Sequence, residues 1–203
     1  NYLLKVNTDN NYEKDNMGVF FPAHTFYEDF YFNFDVKDKV MSVHNDMVPV
    51  HSNFKVTITD STVTNKERTF IASIEGKRKL YSSTKFNNNT FTAYSKNLGQ
   101  FMLAIDTIAP RISITKPIEG KWLTKEKSIS FKISDEMSGL KSYNGFLNEK
   151  WILFEYDNKL GRIIYQLNDE ELLEGKNQLK LIVTDNLGNS AIFETSFFRS
   201  QKK

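Results

Sequence analysis

The sequence contains no cysteine. Disulfides, thiolate metal sites and cysteine nucleophiles are therefore excluded. Proline and glycine are scarce, with 4 and 9 residues among 203, so the chain is not collagen-like or linker-like in composition. No apolar run reaches the roughly 18 residues of a membrane-spanning helix, and no such span is expected. A dominant charge is lacking too: 27 basic and 25 acidic residues leave a net +2. A dedicated nucleic-acid binder carries a strongly basic stripe, so nucleic acid is not an expected partner. The chain opens on Asn1 without a signal-peptide pattern, which reads as a processed chain or a fragment.

Catalytic patterns are missing as well. There is no GxSxG, P-loop or GxGxxG motif, the arrangements that present a nucleophile or cradle phosphates. The histidines His24, His44 and His51 form neither HExxH nor HxH, the spacings that place two zinc ligands on one face. They read as surface or half-buried histidines. The carboxylate pairs Glu28-Asp29, Asp135-Glu136 and Glu170-Glu171 are sequence neighbours, which on a strand point to opposite faces. They read as solvated loop charges. The chain by itself is expected not to be an enzyme and to need no cofactor, with one calcium alternative described below.

What is present is apolar residues at strand spacing. The chain is 39% hydrophobic, with 17 Phe and 9 Tyr, residue types that suit half-buried pleated surfaces. Phe54-Lys55-Val56-Thr57-Ile58-Thr59 and Ile129-Ser130-Phe131-Lys132-Ile133-Ser134 alternate without error; the runs 30–36, 179–184 and 191–197 behave similarly. A period of two marks strands with one face on a core. Turn formers at 75–77, 87–89, 97–99, 148–150 and 186–189 separate these runs. The only helix candidate, 168–173, is too short to organise anything. The expected fold class is all-β: two tandem antiparallel β-sandwich, immunoglobulin-like domains. Asp106-Thr107-Ile108-Ala109-Pro110 interrupts the strand signal; Pro fixes φ and biases its predecessor toward extended geometry. The domains are placed at 1–106 and 107–203, with the joint at 106–110.

Two groups of residues carry binding expectations. Asp106 lies in the joint, Asp135 begins Asp135-Glu136-Met137-Ser138-Gly139, and Asp185 begins Asp185-Asn186-Leu187-Gly188-Asn189. In an immunoglobulin-like sandwich the B–C and F–G loops share an end with the incoming chain, so the three carboxylates are expected to converge. Oxygen-rich loops suit Ca²⁺; the competing account is that each Asp stabilises its own turn. The second group is aromatic. Tyr143, Phe146, Trp151, Phe154 and Tyr156 fall on an expected hairpin over 142–156, with Trp122 nearby in sequence. Trp151 is assigned to the core, where sandwiches hold a tryptophan. The alternative is that Trp151, Tyr143 and Trp122 face outward to stack on sugar rings or dock a partner.

The second half resembles bacterial immunoglobulin-like modules. The likeness rests on Asp106-Thr107-Ile108-Ala109-Pro110, Ser138-Gly139-Leu140-Lys141-Ser142-Tyr143, Trp151-Ile152-Leu153-Phe154-Glu155-Tyr156, Gly175-Lys176-Asn177-Gln178-Leu179-Lys180-Leu181 and Thr184-Asp185-Asn186-Leu187-Gly188-Asn189. More narrowly, it is similar to the region that follows the catalytic domain in exported lysostaphin-type (LytM-like) zinc peptidases of Gram-negative bacteria, which cleave peptidoglycan cross-links. In the first half, Met17-Gly18-Val19-Phe20-Phe21-Pro22-Ala23-His24-Thr25-Phe26-Tyr27 is similar to the opening of ZU-type sandwiches, and Leu98-Gly99-Gln100-Phe101 to the strand that closes them. That peptidase family's HxxxD and HxH patterns are absent: Glu28 stands four residues after His24, and His44 and His51 lack a partner two residues on. The resemblance therefore implies an accessory region of a cell-wall peptidase, exported to the periplasm, outer membrane or cell surface. Envelope proteins or a cell-wall glycan surface would be its partners. A stand-alone envelope or adhesion module, with carbohydrate binding among its options, is the alternative.

Overall fold

The computed structural model describes residues 1–168 and 170–200. It divides into two compact units, Asn1–Asp106 and Thr107–Lys203, and all strand pairings within both are antiparallel.

The first unit runs β1 (Tyr2–Leu4), β2 (Asn10–Lys14), β3 (Met17–Phe21), β4 (Phe30–Phe32), β5 (Phe34–Lys37), β6 (Val40–Val43), β7 (Phe54–Thr59), β8 (Thr69–Glu75), β9 (Arg78–Tyr81), β10 (Thr84–Asn87), β11 (Thr90–Ser95) and β12 (Gly99–Ile105). One sheet has the order β10-β11-β7-β3-β2 and the other β5-β6-β12-β8-β9, while β1 and β4 form a separate ribbon. Alternation decides what is buried: Phe54, Val56 and Ile58 of β7 are inaccessible to solvent, whereas Lys55 and Thr57 lie half-buried on the other face. Phe21 meets Phe54 at 4.9 Å and Phe32 at 5.3 Å between ring centres, distances at which edge-to-face and tilted aromatic pairs are attractive.

The second unit runs β13 (Arg111–Ile114), β14 (Ser128–Ser134), β15 (Leu140–Leu147), β16 (Lys150–Ile152), β17 (Glu155–Asp157), β18 (Arg162–Gln166), β19 (Gly175–Asp185) and β20 (Ser190–Arg199). Its sheets are β13-β14-β18-β17 and β16-β15-β19-β20. Phe131, Ile163, Leu179, Leu181, Val183 and Phe197 are buried between them. The two units are thus tandem all-β sandwiches.

Three local expectations change. The run 30–36 is two strands, because after Asn33 the chain leaves its pairing with β1 and begins pairing with β6. The hairpin expected over 142–156 ends at Ile152; Phe154 dives into the core and Tyr156 pairs with Ile163 in the opposite sheet. The helix expected at 168–173 includes residue 169, which lies outside the described residues. Glu171 N–H donates to the Asn168 carbonyl at 3.0 Å, and no helix is formed by the described residues there.

Candidate functional site

The sheet β16-β15-β19-β20 buries one face and turns the other outward. On β19 the inner phase is Asn177, Leu179, Leu181, Val183 and Asp185, all buried. The outer phase is Lys176, Gln178, Lys180, Ile182 and Thr184. Register then fixes which outward side chains are neighbours. Trp151 opposes Phe146, Phe146 opposes Lys180, and Lys180 opposes Glu194. These four residues form one row across all four strands. The next row in one direction is Asn144, Ile182 and Ile192. In the other direction come Gln178 beside Ser196, then Lys176 beside Phe198.

Both tryptophans of the chain lie on this face. Trp151 is 59% exposed and Trp122 62% exposed. Trp122 pairs in parallel with Phe198 and stacks on its ring at 5.2 Å and 29°. The assignment of Trp151 to the core is therefore wrong. The hairpin turn at Asn148-Glu149, with φ of 49° and 69°, sets the pleat so that Gly145, Leu147 and Ile152 face inward and Phe146 and Trp151 outward. Tyr143 also departs from expectation. It opposes Val183 in the inward phase and packs half-buried against the core, so it does not join the two tryptophans.

Between the aromatic ends lies a polar groove of ≈ 680 Å³, lined by Glu119, Phe146, Gln178, Lys180, Glu194 and Ser196 among others. Lys180 Nζ and Glu194 Oε1 form an ion pair at 3.0 Å. Glu119 accepts hydrogen bonds from the Thr195 hydroxyl at 2.6 Å, the Ser196 backbone N–H at 2.9 Å and the Ser196 hydroxyl at 3.0 Å. These bonds, that from Thr195 foremost, hold its carboxyl below the ordinary range and keep it ionised. None of these polar residues stood out in the sequence. The legible signals were Ile182, apolar in an otherwise polar phase, and the neighbours Phe197-Phe198, of which a strand can bury only one on a given face.

The acidic residues form a second feature. One carboxylate oxygen from each of Asp106, Asp135 and Asp185 lies within 4.8 Å of the other two. Asp106 and Asp185 are buried. Asp135 Oδ2 accepts the backbone N–H groups of Met137 at 3.0 Å and Gly139 at 2.8 Å. Asp185 Oδ1 accepts those of Leu187 and Asn189, both at 2.8 Å, and its Oδ2 accepts the Asn189 side-chain amide at 2.7 Å. Asn186 links the two loops by donating to the Ser138 carbonyl at 2.7 Å. Turn hydrogen bonds thus occupy Asp185 and half of Asp135.

The histidines are separate. His51 Nδ1 lies 3.2 Å from the Tyr27 hydroxyl. His44 Nδ1 accepts the Asn33 N–H at 3.2 Å, with its ring against Phe30 and Phe32. Among the described residues, the only His and carboxylate group at metal-binding spacing is the Asp trio.

The architecture defines a tandem β-sandwich protein. The Zu5-like domain family model matches residues 1–106, and the chain belongs to that family through its first unit. No curated protein matches the sequence. Among solved structures, the chain is similar to an endo-β-1,4-mannanase from Thermotoga petrophila, at 12% identity and TM-score 0.41 over 48% of this chain. It spans 21% of that enzyme's length. It is also similar to fibronectin(III)-like modules of Clostridium thermocellum CbhA, at 12% identity and TM-score 0.36 over 74% of this chain and 86% of that one. The tandem Ig repeats of Dlar match at 7% identity and TM-score 0.32 over 74% of this chain and 89% of that one.

Proposed function

We propose that this chain is a non-catalytic interaction module, the accessory region of an exported bacterial cell-wall protein of the lysostaphin-type peptidase kind. Its role is to position the catalytic domain or dock the parent to envelope partners in the periplasm, outer membrane or cell surface. The observation that supports a docking role is the outward face of β16-β15-β19-β20, which leaves both tryptophans of the chain in solvent. A large aromatic side chain gains most of its binding free energy when a partner removes it from water. A stand-alone adhesion module would use the same face. The parent gene separates the two, since HxxxD and HxH motifs upstream belong only to a peptidase.

The test is sedimentation of the purified chain with isolated bacterial envelopes. The native chain is expected to co-sediment and a Trp151→Glu variant to stay in solution. Equal retention of both overturns the assignment of this face.

We also propose Ca²⁺ as a ligand of Asp106, Asp135 and Asp185, because three carboxylates so close repel one another unless a cation or hydrogen-bond donors compensate. Bound calcium raises the unfolding midpoint by mass action. A midpoint indifferent to calcium and to chelator reduces these residues to turn formers.

A further inference from the structure

The outward face of the second unit carries its aromatic and polar groups in an order that selects among ligand classes. Trp151 and Phe146 stand at one end of a row and Phe198 with Trp122 at the opposite corner, three strands across and four residues along. At strand spacings of about 4.8 Å and rises of about 3.4 Å per residue, the corners are about 20 Å apart. Between them lies a band of hydrogen-bonding side chains: Gln178, Ser196, Lys180, Glu194 and Glu119.

Charge excludes two classes of polymer. Lys180 and Glu194 neutralise each other, and Glu119 is engaged with Thr195 and Ser196. Glu149 and Lys176 add one charge of each sign to the lining. With Glu119 ionised, the lining carries three carboxylates against two ammonium groups, a net −1 that repels a polyanion and is too small to hold a polycation. A protein partner is also a poor match. Protein interfaces concentrate their affinity in a contiguous desolvated centre with a polar rim. Here eight of the eleven residues lining the groove are charged or polar, with Phe146, Leu179 and Ile182 the apolar ones, while both tryptophans stand outside that lining. An extended chain of pyranose rings has the complementary order: apolar C–H faces that stack on aromatic rings, with hydroxyl edges between them for amide, hydroxyl and carboxylate partners.

We infer that this face binds an uncharged oligosaccharide chain lying diagonally across β16-β15-β19-β20, with Trp151 and Trp122 as the two stacking platforms. The inference rests on the docking role proposed for the same face, and narrows its occupant to a neutral glycan.

The protein supplies its own reporter, because it has 2 Trp and both are on this face. The probes are hexasaccharides of β-1,4-linked N-acetylglucosamine and of β-1,4-linked glucose, with heparin as polyanion control, titrated into the full chain while tryptophan emission is recorded. At least one uncharged hexasaccharide is expected to shift the emission and to bind at least tenfold more tightly than its disaccharide. Trp151→Ala and Trp122→Ala are each expected to weaken it at least tenfold, about 1.4 kcal/mol, with the thermal midpoint unchanged because both side chains are exposed. Gln178→Ala, which leaves both platforms in place, is expected to weaken binding by a smaller factor.

Binding unaffected by both tryptophan substitutions overturns the inference, as does emission that answers to heparin alone. Concentration-dependent dimerisation abolished by Trp151→Glu would show a second copy of the chain to be the occupant and would overturn it too. If neither hexasaccharide binds while Trp151→Glu still releases the chain from envelopes, the glycan inference falls and the docking role stands. If that release is also missing, both fall.

Discussion

Asn177 sits on the inward phase of β19 and is fully buried, yet its amide is satisfied on every side that its loop offers. Its Nδ2 donates to the carbonyls of Leu173 at 2.9 Å and Gly175 at 3.1 Å, and its Oδ1 accepts from Leu173 N–H and Asn148 Nδ2, both at 2.8 Å. Substitution to Ala leaves these buried groups without partners, so Asn177→Ala is expected to destabilise the second unit by about 2–3 kcal/mol in denaturant unfolding. His44 carries a second residue-scale prediction. Burial lowers its pKa below the ordinary 6.5. The unfolded chain therefore takes up a proton that folded His44 resists, and the stability this supplies is present above 6.5 and lost as pH falls through the folded value. The midpoint of the first unit is expected to drop as pH falls below the ordinary histidine value of 6.5. His44→Asn should shrink that drop, since Asn tolerates the positive φ of 51° at this position and does not titrate. The chemistry of neither residue was legible beforehand. Asn177 preceded the apolar Leu179, Leu181 and Val183 in one phase, but its four hydrogen bonds go to Leu173, Gly175 and Asn148, which only the folded chain brings together.

At the scale of elements, alternation located strands well where one face is buried. The run 54–59 coincides with β7, and 129–134 lies within β14. The turn at Asn148-Glu149 was legible from residue type, and its two positive φ values match the right-handed twist of a two-residue hairpin loop. The break at Asn33 was not legible, because alternation runs through it unbroken while the pairing partner changes. Gly145 illustrates a constraint invisible in sequence. A Cβ built there would lie 2.3 Å from Phe154 Cε2, on the core side of the strand that carries Phe146 outward. Gly145→Ala is expected to cost about 1–3 kcal/mol through overpacking, read as a lower thermal midpoint. Phe154→Leu should relieve part of that clash in the double variant, and a purely additive loss would refute this account.

At the scale of the whole molecule, each unit encloses its own set of buried hydrophobic residues, one built on Phe21, Phe54 and Phe101 and the other on Phe131, Leu181 and Phe197. A domain with its own core can fold by itself. Fragments 1–106 and 107–203 expressed separately are expected to unfold cooperatively in circular dichroism. A fragment that melts without a transition would show that its core is incomplete.

Composition and period by themselves determined the all-β class, because a two-residue repeat of apolar side chains can bury only one face of a strand and so demands a second layer. Excluding disulfides needed no structure, since the residue required is absent. Only the tertiary structure decided which aromatics face water. Trp151 and Tyr143 belong to the same hairpin and read alike in sequence, yet register places Trp151 beside Phe146 on the outer row and Tyr143 beside Val183 on the inner one. A shift of one residue exchanges the two faces, and register is set by turn geometry and cross-strand packing, neither of which is written locally in the chain.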